Sequence, residues 1–277
     1  MDKLRIILPI RYQKYFKLRD DLRPFFNNVE WVNDDENILR ICEGVIIALS
    51  PTLQYSCVKK CLNYSNISHL LLEKPLAVTP YLANDLIDKL EHSRKKFRIA
   101  YNFRYTDWGR NLLRSSGGLK NIFWDFQAHH YRLNVQTWKR QHTEGGGALR
   151  FYGIHLIALL SELGYNKVFF SETKAKQYSE VDSWQAEIRG INLLPCVLNI
   201  NTDNKITRFT IKYNDMKLWT IMHPFQITTS SIKTNRLDQR IPFLIQSLND
   251  LFYEEKIFYE WYKTTNSLWY DIEQRTL

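Results

Sequence analysis

Along the first hundred residues, short apolar runs alternate with stretches whose apolar positions recur at helical spacing. Leu4 to Ile10 reads as a strand and Tyr12 to Phe26 as a helix. Val29-Glu30-Trp31-Val32 fits one short strand, and Asn37 to Cys42 about one helical turn. Val45-Ile46-Ile47-Ala48-Leu49 is an unbroken apolar run closed by Ser50-Pro51. Such a run suits a central parallel strand covered on both faces. The spacing then predicts a helix from about Thr52 to Leu62, with Leu53, Cys57 and Cys61 as its sheet-facing stripe. His69 to Leu72 is the next strand. Thr79-Pro80 supplies the N-cap and first-turn residues of a helix whose apolar face is Ala83, Leu86, Ile87 and Leu90. Arg98 to Tyr101 closes the series. Regular strand–helix alternation predicts a doubly wound parallel sheet.

After Asn102 the pattern changes. A short helix from Asp107 to Ser115 is expected to end at Gly117-Gly118. Leu119 to Tyr131 then alternates strictly, with Ile122, Trp124, Phe126 and Ala128 on one face and Phe123, Asp125, Gln127, His129 and Tyr131 on the other. This is a strand with one buried and one open face. A glycine-rich segment, Gly145-Gly146-Gly147, leads into a strongly apolar helix ending near Leu163. Strand-like runs follow at Val168–Phe170, Trp184–Arg189, Cys196–Ile200, Arg208–Tyr213 and Lys217–Met222. The chain closes in helix, with Phe243, Ile245, Leu248, Leu251 and Phe252 as an apolar stripe. The expected fold class is α/β: a parallel-sheet domain over 1–103, then an α+β domain with a largely antiparallel sheet over 104–277.

Composition narrows the partners. The net charge is +9 with basic residues spread along the chain, which favours an anionic small molecule over nucleic acid. The four cysteines show neither zinc spacing nor a disulfide pattern, and reduced thiols in the cytoplasm are expected. The opening Met-Asp-Lys-Leu leads into only a short apolar run, so no secretion signal is expected. No run reaches the ~18 apolar residues of a membrane span.

Three segments in register carry a resemblance. They are "LLLEKPLAVT" (70–79), "YNFRY" (101–105) and "EGGGALRFYGIHLIALLSELG" (144–164). Together they resemble the Gfo/Idh/MocA family of sugar-handling oxidoreductases, which implies a shortened Rossmann-like first domain. The resemblance implies Lys74 and His155 as catalytic residues. A lysine of depressed pKa, or a histidine, can take the hydroxyl proton as hydride leaves a sugar carbon. It also implies Ser50, Pro51 and Glu73 as cofactor contacts, if a dinucleotide binds. Asn102, Arg104, Tyr105, His129, Trp138 and Tyr152 are candidate substrate-binding residues, with Tyr131, Lys139 and Arg140 near them.

The chain departs from the family pattern in three places. Leu8-Pro9-Ile10-Arg11-Tyr12-Gln13-Lys14 contains no glycine where a dinucleotide site wants G-x-G-x-x-G. Only 18 residues separate Phe26 from Val45, too few for a second full strand–helix unit, and Asp34 and Asp35 are weak candidates for the ribose acid. Phe151 and Ala158 stand where the family usually has Asp. The expected cofactor is therefore none, or NAD(P) held atypically, with no metal. The expected function is action on a sugar or nucleotide sugar, in carbohydrate or surface-glycan biosynthesis, from ancestral hydride-transfer chemistry. The alternatives are cofactor-free proton transfer, or a non-catalytic sugar-binding or partner subunit. A homo-oligomer through the second-domain sheet is expected, with no membrane or nucleic-acid partner.

Overall fold

The apolar runs of the first hundred residues become five strands of four residues each. The computed structural model describes residues 4–20, 22–33, 35–114, 121–177, 179–213, 216–226, 238–254 and 259–276. The order is β1 (Leu4–Ile7), α1 (Ile10–Lys17), β2 (Val29–Val32), α2 (Asp35–Leu39), β3 (Gly44–Ile47), α3 (Pro51–Leu62), β4 (His69–Leu72), α4 (Pro80–His92) and β5 (Lys96–Ile99). β1 pairs in parallel with β2, while β3, β4 and β5 form a parallel sheet with β4 in the middle. Among the described residues no ladder joins the two. Thr79 caps α4 as expected, its hydroxyl accepting from the Leu82 amide.

Two helical expectations are corrected. The helix expected to reach Phe26 stops at Lys17, and Arg23–Asn28 forms a 3₁₀ turn instead. Pro24 lacks the amide that a continuing helix would need. On α3 the buried face is Pro51, Gln54, Val58 and Cys61, whereas Leu53 is 59% exposed. A glutamine thus occupies a core position in place of the expected leucine.

The rest is α5 (Asp107–Arg114), β6 (Asn121–Gln127), α6 (His129–Arg132), a π-helical turn (Ala148–Gly153), α7 (Ile154–Glu162), β7 (Tyr165–Gln177), β8 (Glu180–Gly190), β9 (Cys196–Asn201), β10 (Asp203–Tyr213), β11 (Met216–Ile221), α8 (Ile241–Tyr253) and α9 (Glu260–Arg275). Gly117-Gly118, expected to end α5, lie outside the described residues. The six strands order as β11-β10-β6-β9-β8-β7, antiparallel except for β6 with β9. β6 alternates as expected, burying Ile122, Trp124 and Phe126. It ends at Gln127, four residues early. The Ala128 carbonyl accepts from the Tyr131 and Arg132 amides and turns the chain into α6, so His129 and Tyr131 leave the sheet.

The two C-terminal helices return to the first sheet. α8 packs on β4 and β5, and α9 on α4, α7 and β7. Phe243, Ser247 and Leu251 form the buried face of α8, while Ile245 and Phe252 of the expected stripe are exposed. Arg150 ties α9 to the π-helical turn through Glu273 at 2.6 Å, and Arg104 pairs with Glu162 at 2.9 Å. No helix among the described residues is long and apolar enough to cross a membrane.

Candidate functional site

The turn after β4 is built from one side chain on α3. Gln54, fully buried, donates from Nε2 toward the carbonyls of Glu73 (2.6 Å), Pro75 (3.1 Å) and Leu76 (3.2 Å). These carbonyls have no strand or helix to satisfy them, and an unpaired buried acceptor costs about 1–3 kcal/mol. Gln54→Leu keeps the volume and removes the donors. It should lower stability by about 2–4 kcal/mol on that scale, with a fall in urea midpoint at unchanged m-value.

The turn delivers Lys74 into the interior, only 7% exposed. Its Nζ donates to the Phe151 carbonyl at 2.7 Å and lies 3.7 Å from the Phe151 ring centroid. Burial, with help from Arg240 and Lys139, lowers its pKa to about 7, while Glu73 acts in the opposite direction. An amine near pKa 7 both takes and gives a proton at neutral pH. One helical turn past Phe151 stands His155, 4% exposed and stacked on Phe103 at 4.8 Å. Burial, Lys74 and Arg240 hold its pKa well below the ordinary value, so the ring is neutral. Its Nδ1 has no hydrogen-bond partner among the described residues.

The glycine segment positions the opposite wall. Gly145 (φ +88°) packs against Pro51, where a Cβ would lie 2.8 Å from that ring. The Gly147 amide donates to the Lys139 carbonyl at 2.8 Å and fixes the turn carrying Lys139.

Lys74 and His155 line one cavity of about 670 Å³, within the range of small-molecule sites. Trp124, His129, His130, Tyr152 and His223 share its wall, and Lys139, Asp238 and Arg240 stand on its rim. Of the expected substrate residues, His129 and Tyr152 are therefore at the cavity. Trp138 sits edge-on to Phe151 at 5.3 Å. Asn102 is buried at the sheet junction with its Oδ1 unpartnered. Arg104 and Tyr105 border a separate surface depression, where the Tyr105 hydroxyl donates to Asp250 at 2.7 Å. Tyr131 and Arg140 face each other at 4.9 Å, and Arg140 pairs with Glu180. His130, His223, Asp238 and Arg240 complete a site that local motifs do not announce.

The cofactor contacts implied at the sequence level lie elsewhere. Pro51 packs on Gly145, Ser50 precedes α3 without a side-chain cap bond, and the Glu73 carboxylate accepts from the Lys74 amide at 3.2 Å. A dinucleotide would need the β1–α1 turn for its pyrophosphate and an acid after β2 for its ribose. In that turn the Ile10 amide already points at Asn33 Oδ1 (3.4 Å), and Gln13 Nε2 donates to the Leu8 carbonyl. Ile10 and Tyr12 are exposed there, and the Arg11 side chain lies outside the described ones. Asp35 pairs with Lys60 at 2.9 Å, and Asp34 lies outside the described residues. These residues do not fit the usual dinucleotide cradle. No group of His, Cys, Asp and Glu suited to a metal ion occurs among the described residues.

Comparison with known proteins gives three findings. The family model for oxidoreductases with an NAD-binding Rossmann fold, Gfo/Idh/MocA, matches residues 20–101. No curated protein matches the sequence. Solved structures match over nearly the whole chain. An oxidoreductase from Erwinia carotovora atroseptica SCRI1043 aligns at TM-score 0.69 with 14% identity, covering 99% of this chain and 90% of that one. The WlbA dehydrogenase from Bordetella pertussis, solved with NADH and UDP-GlcNAcA, aligns at 0.65 and 14%, covering 99% and 96%. KijD10, a 3-ketoreductase from Actinomadura kijaniata solved with NADP, aligns at 0.66 and 12%, covering 99% and 98%.

Proposed function

We propose that this chain, which has the Gfo/Idh/MocA oxidoreductase fold and that family's signature over residues 20–101, acts on a sugar or nucleotide sugar by proton transfer at Lys74. The carrying observation is a buried amine of pKa about 7 in the same cavity as a neutral histidine. Lys74 takes the proton from a substrate hydroxyl or an acidified C–H. The ammonium so formed returns it, while His155, neutral and with an unpartnered nitrogen, hydrogen-bonds the substrate. Phe103 fixes the plane of the imidazole by stacking.

The reaction runs in this reading without an NAD(P) held in the ordinary way, because the β1–α1 turn is closed by its own side chains. The family's redox chemistry would survive only with a cofactor seated atypically. The site then suits a cofactor-free epimerisation or elimination on a carbohydrate, with a place in surface-glycan assembly and in the cytoplasm. The half-exposed face of β6, Phe123, Asp125 and Gln127, supports pairing with a second copy.

The eight tryptophans report cofactor binding directly. Titration with NADH and NADPH is expected to leave their fluorescence unsaturated at micromolar concentrations. Saturation there overturns the cofactor reading. In deuterated water, mass spectrometry of hexoses, uronic acids and UDP-sugars is expected to show exchange that is lost in His155→Ala. No exchange with any of them returns the chain to a binding or partner role.

A further inference from the structure

The rim of the cavity carries more positive charge than its own carboxylates answer. Arg240 is consumed by Asp238, which accepts from its Nε at 3.0 Å and its Nη2 at 2.6 Å. Lys139, from the turn below the glycine segment, has no ion-pair or hydrogen-bond partner for its amine among the described residues. It stands 5.3 Å from the same Phe151 ring that Lys74 faces from within. Glu73 influences both lysines from beyond the wall, yet its carboxylate is engaged by the Lys74 amide. A second observation points to a ligand. His130 is 95% buried by the complement of its 5% exposure, lines the cavity and leaves Nε2 without a partner.

Resting on the carbohydrate reading above, we infer that the substrate carries an anionic group, a carboxylate or a phosphate, held at the rim by Lys139 beside Arg240. The sugar ring then reaches inward along Tyr152 and His130 toward Lys74. A charge-assisted contact is about twice as strong as a neutral one, and the rim has a cation ready for it. The reacting end needs no such charge, since Lys74 works as a neutral base.

Calorimetric titration with inorganic phosphate, glucose, glucuronate and glucose 6-phosphate tests this. The two charged sugars are expected to bind at least roughly tenfold tighter than glucose. Lys139→Met should remove that advantage and Lys139→Arg should keep it. The ratio of glucuronate to glucose 6-phosphate says which anion the rim prefers. Glucose binding as tightly as the charged sugars, or indifference to Lys139→Met, overturns this inference and leaves the carbohydrate reading intact. Phosphate binding that is lost in Lys139→Met, with no sugar bound, keeps the anion subsite and overturns the carbohydrate reading. No binding of any probe overturns both.

Discussion

Lys74→Met is expected to abolish solvent exchange into the substrate, by a factor of about 10²–10⁴, the usual contribution of a positioned general base. It should also make the protein more stable at neutral pH, and the two effects share one cause. The amine has an ordinary pKa of 10.5 in the unfolded chain and about 7 in the folded one. Between these values the unfolded state binds more protons, so wild-type stability rises with pH. Below pH 7 both states are protonated and the full penalty of a buried ammonium is present. Above about pH 10.5 both are neutral and the penalty is gone. At about 1.36 kcal/mol per pH unit, this window is worth roughly 5 kcal/mol. Methionine has the length without the charge. The melting temperature of Lys74→Met should exceed wild type by several degrees at pH 6–7, with the margin closing toward pH 10. A margin constant with pH would show that Lys74 is charged in the folded protein. The same amine sets the rate profile. As a base it must start neutral, so exchange in the wild type should rise tenfold per pH unit below 7 and level off above.

A stability gain together with a loss of activity would place Lys74 among residues kept for function at the expense of the fold. Gln54 has the opposite role, since its three carbonyl contacts hold the turn that makes the lysine unfavourable. The sheet supplies the geometry and α3 supplies the brace.

Much of this frame is legible in the sequence where a local rule decides it. The strand His69–Leu72 and the helix from Pro80 are bounded by a continuous apolar run and by the Thr79-Pro80 cap, and both form as the pattern predicts. β6 follows its alternation because one face packs on Phe103, Tyr152 and Phe209 and the other is half-exposed. The failures come where a distant partner decides. Leu53 and Gln54 are adjacent, and hydrophobicity alone puts the leucine inside; the unpaired carbonyls of Glu73, Pro75 and Leu76 reverse the choice. His130 reaches the cavity because the chain turns at Ala128, whose amide pairs with the carbonyl of Thr202, seventy-odd residues away. No motif marks His223, which follows β11, or Asp238 and Arg240, which lead into α8, and only the fold brings them to the cavity of Lys74. The family resemblance reaches Lys74 and His155 because they sit inside its motifs, and it is silent on the rim because the rim does not.

Gly147→Ala is expected to damage this wall through strain as well as contact. Its backbone, at φ +80° and ψ 178°, is a conformation that essentially only glycine adopts. The added Cβ would also lie 2.9 Å from the Val181 carbonyl oxygen on β8, which cannot yield without moving the strand. The backbone strain alone costs about 1–3 kcal/mol. For a chain of this size that is roughly 3–10 °C of melting temperature. The Gly147 amide would shift as the strain relaxes and loosen its bond to the Lys139 carbonyl. The consequence separates this site from a glycine remote from the cavity. Affinity for anionic ligands should fall along with stability, whereas Gly44→Ala, whose Cβ meets only ordinary contacts at 3.6 Å and beyond, should leave anion affinity intact. Thermal melts and phosphate titrations on the two variants check the pair. Equal anion affinity in both would mean that the glycine segment braces the fold and does not set the rim.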